Sequence, residues 1–246
     1  MRVSLRVLSL DTTTRAGSVA LVEDDAVIAE RSGDASRTHA ERLPRELLAV
    51  LEERGLRTAD VDVFAVAAGP GSFTGLRIGI ATIQGLALVH RRRVAAVSAL
   101  DAIVHAGGHL PAGSLIGVWM DAQRRDVFSA LYRVSARPVF DRERAMEIDP
   151  PGVGRPSDVI ARWRAMADAP IVFAGDGAIL HAAAIRASFP AADVLVPPAL
   201  AGAVGRLAIA QERAGLTVDP GAVRPLYIRR PDAELERERQ KPAATP

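Results

Sequence analysis

The chain has 246 residues, of which 49% are hydrophobic, 24% charged and 4% aromatic, with a formal charge of +2. That length supports one large domain or two lobes of about 100 to 120 residues each, with a core drawn mainly from Ala, Val, Leu and Ile. Arginines and acids are nearly balanced and interspersed, so no strong electrostatic case exists for direct nucleic-acid binding. The basic run His90-Arg91-Arg92-Arg93 reads as a solvated helix end rather than an RNA contact. Lys241 is the single lysine and cysteine is absent. A Walker-type phosphate loop, disulfides and thiolate chemistry are therefore excluded, and a Schiff-base lysine is disfavoured. The N-terminus carries no signal-peptide pattern. The apolar stretch Ile78 to Val89 contains Gln84 and is too short to span a bilayer, so the expectation is a cytosolic chain with no membrane role.

In chain order, Val7 to Asp11, Ser18 to Glu23 and Ala26 to Arg31 read as three strands of an antiparallel meander. Thr38-His39-Ala40-Glu41 has the pattern of a capping box opening a helix, whose apolar face is Ala40, Leu43, Leu47, Leu48 and Leu51. Pro44 must kink or restart that helix, and Gly55 is a plausible stop. Val61 to Ala67 is a strand covered on both faces. It runs into Gly69-Pro70-Gly71-Ser72 and a helix from about Phe73 to His90. On that helix Phe73, Leu76, Ile80, Ile83 and Leu86 are expected to face the core. Gly75, Gly79 and Thr82 form a second stripe of small residues that permits close helix approach. A strand at Val94 to Val97 and a helix capped by Ser98 follow. A lobe boundary is expected near Gly107–Gly113, giving lobes 1–108 and 109–230.

The second half repeats the plan. Leu115 to Met120 and Asp126 to Val134 are strands, and Met146 to Ile148 is a possible third. Ser157 caps a helix to about Asp168. The apolar strand Ile171 to Phe173 then ends in Gly175-Asp176-Gly177 before a helix to about Ser188. Val194 to Val196 and a helix from about Ala201 to Ala214 complete the half. Residues 231–246 read as a charged mobile extension.

Chemistry-bearing positions each have two readings. Asp11, followed by Thr12 and Thr13, suits a strand-end carboxylate and phosphate loop, or an Asp-Thr turn satisfying its own backbone. Gly69, Gly71 and Ser72 offer free N–H groups at a helix start, or simply a helix N-cap. Ser72 lacks the frame of a nucleophile elbow. His105 and His109 have i, i+4 spacing but enclose two glycines, which argues against metal ligation. Asp121 and Asp176 mirror the first-half sites and would line a cleft or form turns. His39 is read as structural or at an interface.

Taken together, Leu8-Ser9-Leu10-Asp11-Thr12-Thr13, Gly17 to Leu21, His39-Ala40-Glu41-Arg42-Leu43-Pro44 and Gly69 through Gly79 resemble the TsaB (YeaZ) family. Met120-Asp121-Ala122 with Arg124, and Pro225-Leu226-Tyr227-Ile228-Arg229, are similar to its second lobe. The resemblance implies an α/β fold of the actin/Hsp70/sugar-kinase type with two similar lobes. It implies a cytoplasmic, non-catalytic scaffold that binds TsaD, with TsaE as ATPase, for making N6-threonylcarbamoyladenosine beside the tRNA anticodon. TsaD-type chains carry a His-x-x-x-His metal motif whose positions fall here on Ala99 and Ile103, so no metal and no catalytic residue are expected. No cofactor of its own is expected either, with ATP or ADP conceivable at the lobe cleft or partner interface, facing Asp11, Thr12, Thr13, Gly69, Gly71 and Ser72. The expected contact surface, for TsaD or for a second copy when alone, uses His39, Leu43, Leu47, Leu51, Gly75, Leu76, Gly79 and Thr82. Contact with tRNA is expected only through the complex. The competing reading is a small-molecule phosphotransferase of the same fold, with Asp121 or Asp176 as its acid or base.

Overall fold

The computed structural model describes residues 4–107 and 110–229. His109 and the expected extension 231–246 lie outside the described residues. β1 (Arg6–Asp11), β2 (Ser18–Glu23) and β3 (Ala26–Ser32) pair antiparallel. β4 (Val63–Gly69) and β5 (Arg93–Ser98) then join parallel on the other side of β1, giving the order β3-β2-β1-β4-β5. The second sheet holds β6 (Leu115–Asp121), β7 (Val127–Val134), β8 (Ala145–Gly154), β9 (Ile171–Ala174) and β10 (Val194–Leu195). Its order, β8-β7-β6-β9-β10, repeats the first with the same strand directions. A meander followed by two parallel crossover strands thus occurs twice, and this is the actin/Hsp70/sugar-kinase-like fold.

Helices fill the crossovers, because parallel neighbours need a long connection over one face. α1 (His39–Glu52) and α2 (Phe73–His90) cover one face of the first sheet. Glu41 reaches back to the Thr38 N–H at 2.9 Å and its hydroxyl at 2.8 Å. α1 runs through Pro44 without a break, and Pro44 is exposed on its outer side. The buried set is Arg42, Leu43, Leu47, Val50 and Leu51, whereas Leu48 is 49% exposed. The stripe is rotated from the expected one, with Val50 replacing Leu48. α3 (Ala99–Ala106) follows β5, with the Ser98 hydroxyl accepting from the Asp101 N–H at 3.2 Å. α4 (Pro156–Met166), α5 (Asp176–Leu180) and α6 (Ala182–Ser188) belong to the second sheet. Pro156 occupies the first turn of α4 and Arg155 its cap, in place of the expected Ser157, because proline's fixed φ suits the first helical position.

α7 (Ala201–Arg213) departs from the expected two-lobe division. It lies on the first sheet, where Ser9 Oγ donates to Ala201 O at 2.7 Å and the Ala201 N–H donates to Ser18 Oγ at 3.0 Å. Beyond it, Val218 bridges Val94, and the Leu226 N–H donates to Ala68 O at 2.7 Å. Residues 201–226 therefore return to the first half, and Arg229 reaches back to Ala122 and Asp126 of the second. The boundary at 108/109 separates the two sheets, but a shared core of Val7, Val97, Ile103, Val118, Tyr132 and Leu207 spans it.

The small-residue stripe on α2 also faces inward. A Cβ on Gly75 would fall on Thr12 O, and one on Gly79 on Thr12 Oγ1, with Leu10 Cδ1 at 3.0 Å. Leu43, Leu47, Leu51 and Leu76 are at most 3% exposed, all within the chain's own core. These residues were expected to present a contact surface. Intramolecular packing occupies them instead, and only Thr82 of that set of small residues and leucines is partly exposed. By length and composition α2 is apolar enough to cross a membrane, yet its Leu76, Ile80, Ile83 and Ala87 side is sealed against the sheet. Its solvent side carries Ala81, Gly85, Leu88 and Val89, the last two 62% and 77% exposed.

His105 is buried at the end of α3. Its Nδ1 accepts from the Phe140 N–H at 3.0 Å, and its ring stacks on Phe140 at 5.5 Å. Burial first, then the charge of Arg144, pushes its pKa down to about 4.

Two predictions follow from this packing. Gly79→Ala lowers stability by roughly 1–3 kcal/mol through overpacking. Gly85→Ala, with nothing within 4 Å of the added methyl, raises it by roughly 0.5–1 kcal/mol. Denaturant midpoints of the two variants check this, and shifts of the same sign contradict it. His105 binds its proton more weakly folded than unfolded, so its contribution to stability is complete above pH 6.5 and is lost as pH falls towards about 4. The loss amounts to about 3 kcal/mol at most. Unfolding curves of His105→Gln measured across that window should be flatter with pH than those of the parent.

Candidate functional site: the cleft between the sheets

The ends of β1, β4 and β6 open on a cleft of about 960 Å³. Its first-half wall is the β1–β2 loop at Thr13 to Arg15, the segment leading into α1, and the β4–α2 turn at Pro70 to Gly75. Its second-half wall is the β6–β7 turn at Asp121 to Arg124, together with Asp176. The C-terminal strap, Leu226 to Arg229, closes one side.

The expected phosphate-facing residues divide between wall and interior. Thr13, Gly71 and Ser72 line the cleft, whereas Asp11, Thr12 and Gly69 do not. Asp11 is 3% exposed, and its Oδ1 accepts from the Thr13 N–H at 2.8 Å and the Thr13 hydroxyl at 2.6 Å. This is the self-satisfying Asp-Thr turn. Burial pushes the Asp11 carboxyl above the usual carboxylate range against the pull of Thr13, and the charge of Asp176 adds to the rise. Thr12 is fully buried, and its hydroxyl, beneath Gly79, has no hydrogen-bond partner. Gly69, at φ 125°, takes the close approach of Leu226 O, 2.7 Å from where a Cβ would stand. The Gly69–Pro70 bond is cis.

Ser72 is the N-cap of α2. Its Oγ accepts from the Gly75 N–H at 3.2 Å, and its own N–H donates to Thr13 O at 2.8 Å. The N–H groups of Thr13, Ser72 and Gly75, which a phosphate loop would present, are thus bonded within the chain.

His39 also lines the cleft. Its Nε2 lies 3.0 Å from Thr14 O, and its Nδ1 accepts from Arg42 at 2.7 Å, so the ring is the neutral Nε2–H tautomer. Burial, then Arg42, lowers its pKa. Arg42 is 3% exposed and donates to Ala16 O and to Glu46 at 2.7 and 2.9 Å. One buried guanidinium therefore ties α1 to the β1–β2 loop, a role the sequence reading missed although Arg42 sits inside the His-Ala-Glu-Arg run.

Across the cleft, Asp176 accepts from the Asp121 N–H at 3.1 Å and the Gly177 N–H at 2.8 Å. Burial raises its pKa against those bonds. Asp121 accepts from the Gln123 N–H at 2.8 Å and its side-chain amide at 2.7 Å. The β6–β7 turn carries three successive residues at positive φ, Gln123, Arg124 and Arg125. Non-glycine residues adopt that region at an energetic cost, and no local sequence signal announced the run.

A family model described as TsaD, tRNA N6-adenosine threonylcarbamoyltransferase, matches residues 32–235. An uncharacterised protein of Mycobacterium tuberculosis is 35% identical over 230 residues, 93% of each chain. A tRNA threonylcarbamoyladenosine biosynthesis protein TsaB of Haemophilus influenzae is 36% identical over 140 residues, covering 56% of this chain and 58% of that one. The solved structure of YeaZ from Pseudomonas aeruginosa superposes with a TM-score of 0.73 at 27% identity, over 91% of this chain and 99% of that one. With the repeated sheet order and the cleft motifs in agreement, the chain belongs to the TsaD-type family, in its TsaB (YeaZ) branch.

Proposed function

We propose that this chain is a non-catalytic subunit in the biosynthesis of N6-threonylcarbamoyladenosine in tRNA, and that it acts by docking onto a TsaD transferase. The observation that carries the docking is the outer side of α1 and α2. Leu48, Leu88 and Val89 are 49%, 62% and 77% exposed, and Gly85 between them is open. A helix apolar on both sides, with one side already buried in its own sheet, favours a partner on the other. The small residues that admit a partner on this reading are Ala81 and Gly85, while Gly75 and Gly79 serve the chain's own fold. A second copy of the chain takes the same face when TsaD is absent.

Two features support the non-catalytic part. Ala99 and Ile103, at the positions of the transferase's metal pair, are apolar and buried on α3. Asp121 and Asp176, the acids that a phosphotransferase reading needs, hold their own turns. ATP or ADP would belong to TsaE or to the joint with the partner. The reading makes the chain cytoplasmic.

With TsaD and TsaE present, adding this chain should stimulate threonylcarbamoylation of tRNA. Leu88→Glu should remove most of that stimulation, weaken TsaD retention by at least about tenfold (burying an unpaired carboxylate at an interface costs several kcal/mol), and leave the unfolding midpoint unchanged. No stimulation by the parent chain overturns the assignment, and phosphorylation of a small molecule by the chain alone would favour a kinase.

A further inference from the structure

We propose that the rim of the cleft is a stacking platform for an unpaired base of an RNA strand, so that this chain itself touches tRNA. The proposal rests on the reading above, in which tRNA is the substrate. The chain is poor in aromatic residues, and most of its rings, Trp119, Trp163, Tyr132, Phe64 and Phe173 among them, are buried. Among the described residues, Phe73 and Tyr227 are the two most exposed of the Phe, Tyr and Trp side chains, at 38% and 36%. They are 154 residues apart in sequence (227 − 73), Phe73 in the first turn of α2 and Tyr227 in the C-terminal strap. Yet their rings stack with centroids 5.2 Å apart and planes 27° from parallel.

A third flat group joins them. The Arg77 guanidinium lies 3.9 Å from the Phe73 ring centroid, and its Nε donates to the Tyr227 hydroxyl at 3.2 Å. The strap cannot drift, because Leu226 is bonded to Ala68 O, and Arg229 to Ala122 O at 2.8 Å and to Asp126. A partly exposed ring stack held in place beside a guanidinium offers a base an outer face on which to extend the stack, whatever its sequence.

Charge points to the same ligand. Arg15, Arg37 and Arg124 line the cleft against Asp121 and Asp176, Arg229 there is paired with Asp126, and Arg77 adds its charge beside Phe73 and Tyr227. An anionic, aromatic ligand matches that surface, and a polynucleotide with unstacked bases supplies both properties. A free nucleotide held by its phosphates fits less well. The N–H groups of Thr13, Ser72 and Gly75 are already bonded within the chain.

The test uses the full chain with three probes: a labelled RNA hairpin with a single-stranded loop, the same RNA fully paired, and ATP. The hairpin should bind, in a salt-dependent way, more tightly than the duplex. Phe73→Ala and Tyr227→Ala should each weaken hairpin binding by roughly 5- to 100-fold, while Tyr227→Phe keeps it within about threefold, since the ring that stacks is retained. If an alanine variant fails to fold, Phe73→Trp provides the readout, because its emission should be quenched by the hairpin and not by the duplex. Absence of loop-dependent binding, equal affinities for parent and alanine variants, or binding of ATP alone overturns the proposal. A chain that fails this test but still stimulates tRNA modification with TsaD disproves the platform and leaves the proposed function standing.

Discussion

The rest of the molecule depends on how closely α2 lies against the turn that follows β1. Gly75 and Gly79 let the helix backbone rest on Thr12, where any side chain would collide with its carbonyl or hydroxyl. The Ser72 N–H then bonds to Thr13 O, and Asp11 ties down Thr13 from beneath. This junction fixes the β4–α2 turn against the β1–β2 loop, and both are walls of the cleft. It also orients α2, so that one side completes the core while Ala81, Gly85, Leu88 and Val89 point outward.

The same layer links the outer face to the cleft. α1 offers Leu48 to solvent and turns Arg42 inward, where its guanidinium meets the carbonyl of Ala16 and His39 meets that of Thr14. A partner seated on α1 and α2 therefore rests on the two helices that shape the cleft's first-half wall. From the far side, the C-terminal strap is clamped to Ala68 and passes over Gly69, which has no side chain to obstruct it. The strap thus meets the β4–α2 turn at one site, and the second half contributes α7 to the first sheet as well as its own wall of the cleft.

Much of this was legible in the sequence because it is local. Alternating apolar residues marked the meanders, Ser72 marked the start of α2, and the recurrence of apolar strand, glycine turn and helix revealed the doubled plan without sequence identity. The core side of α2 was legible in Leu76, Ile80 and Ile83, but not that Gly75 and Gly79 share it, since small residues recur at helical spacing on both sides and periodicity cannot say which set meets the sheet. Thr12 decides it, and Thr12 is distant along the chain. The return of residues 201–226 to the first half is likewise a tertiary fact, set by hydrogen bonds at Ala201, whose carbonyl accepts from Ser9 and whose N–H donates to Ser18, both far away along the chain. At the cleft, the motif named the right loops but not their state. Asp11 and Thr12 looked like a phosphate loop because the residue types suit one, and only the bonds of Asp11 to Thr13 and the burial of Thr12 show them engaged within the fold.

The central claim is that α2 uses its glycine side for the chain itself and its outer side for TsaD. The absence of cysteine allows a direct measurement, the rate of thiol labelling at a single cysteine placed at Leu88, with a cysteine placed at Val196 in the second half, 77% exposed against 62% for Leu88, as control. Adding TsaD should slow labelling at position 88 by at least about tenfold, as burial of an exposed site in a stable interface requires, and leave position 196 unchanged. Labelling at position 88 that proceeds at the same rate with and without bound TsaD would contradict the account.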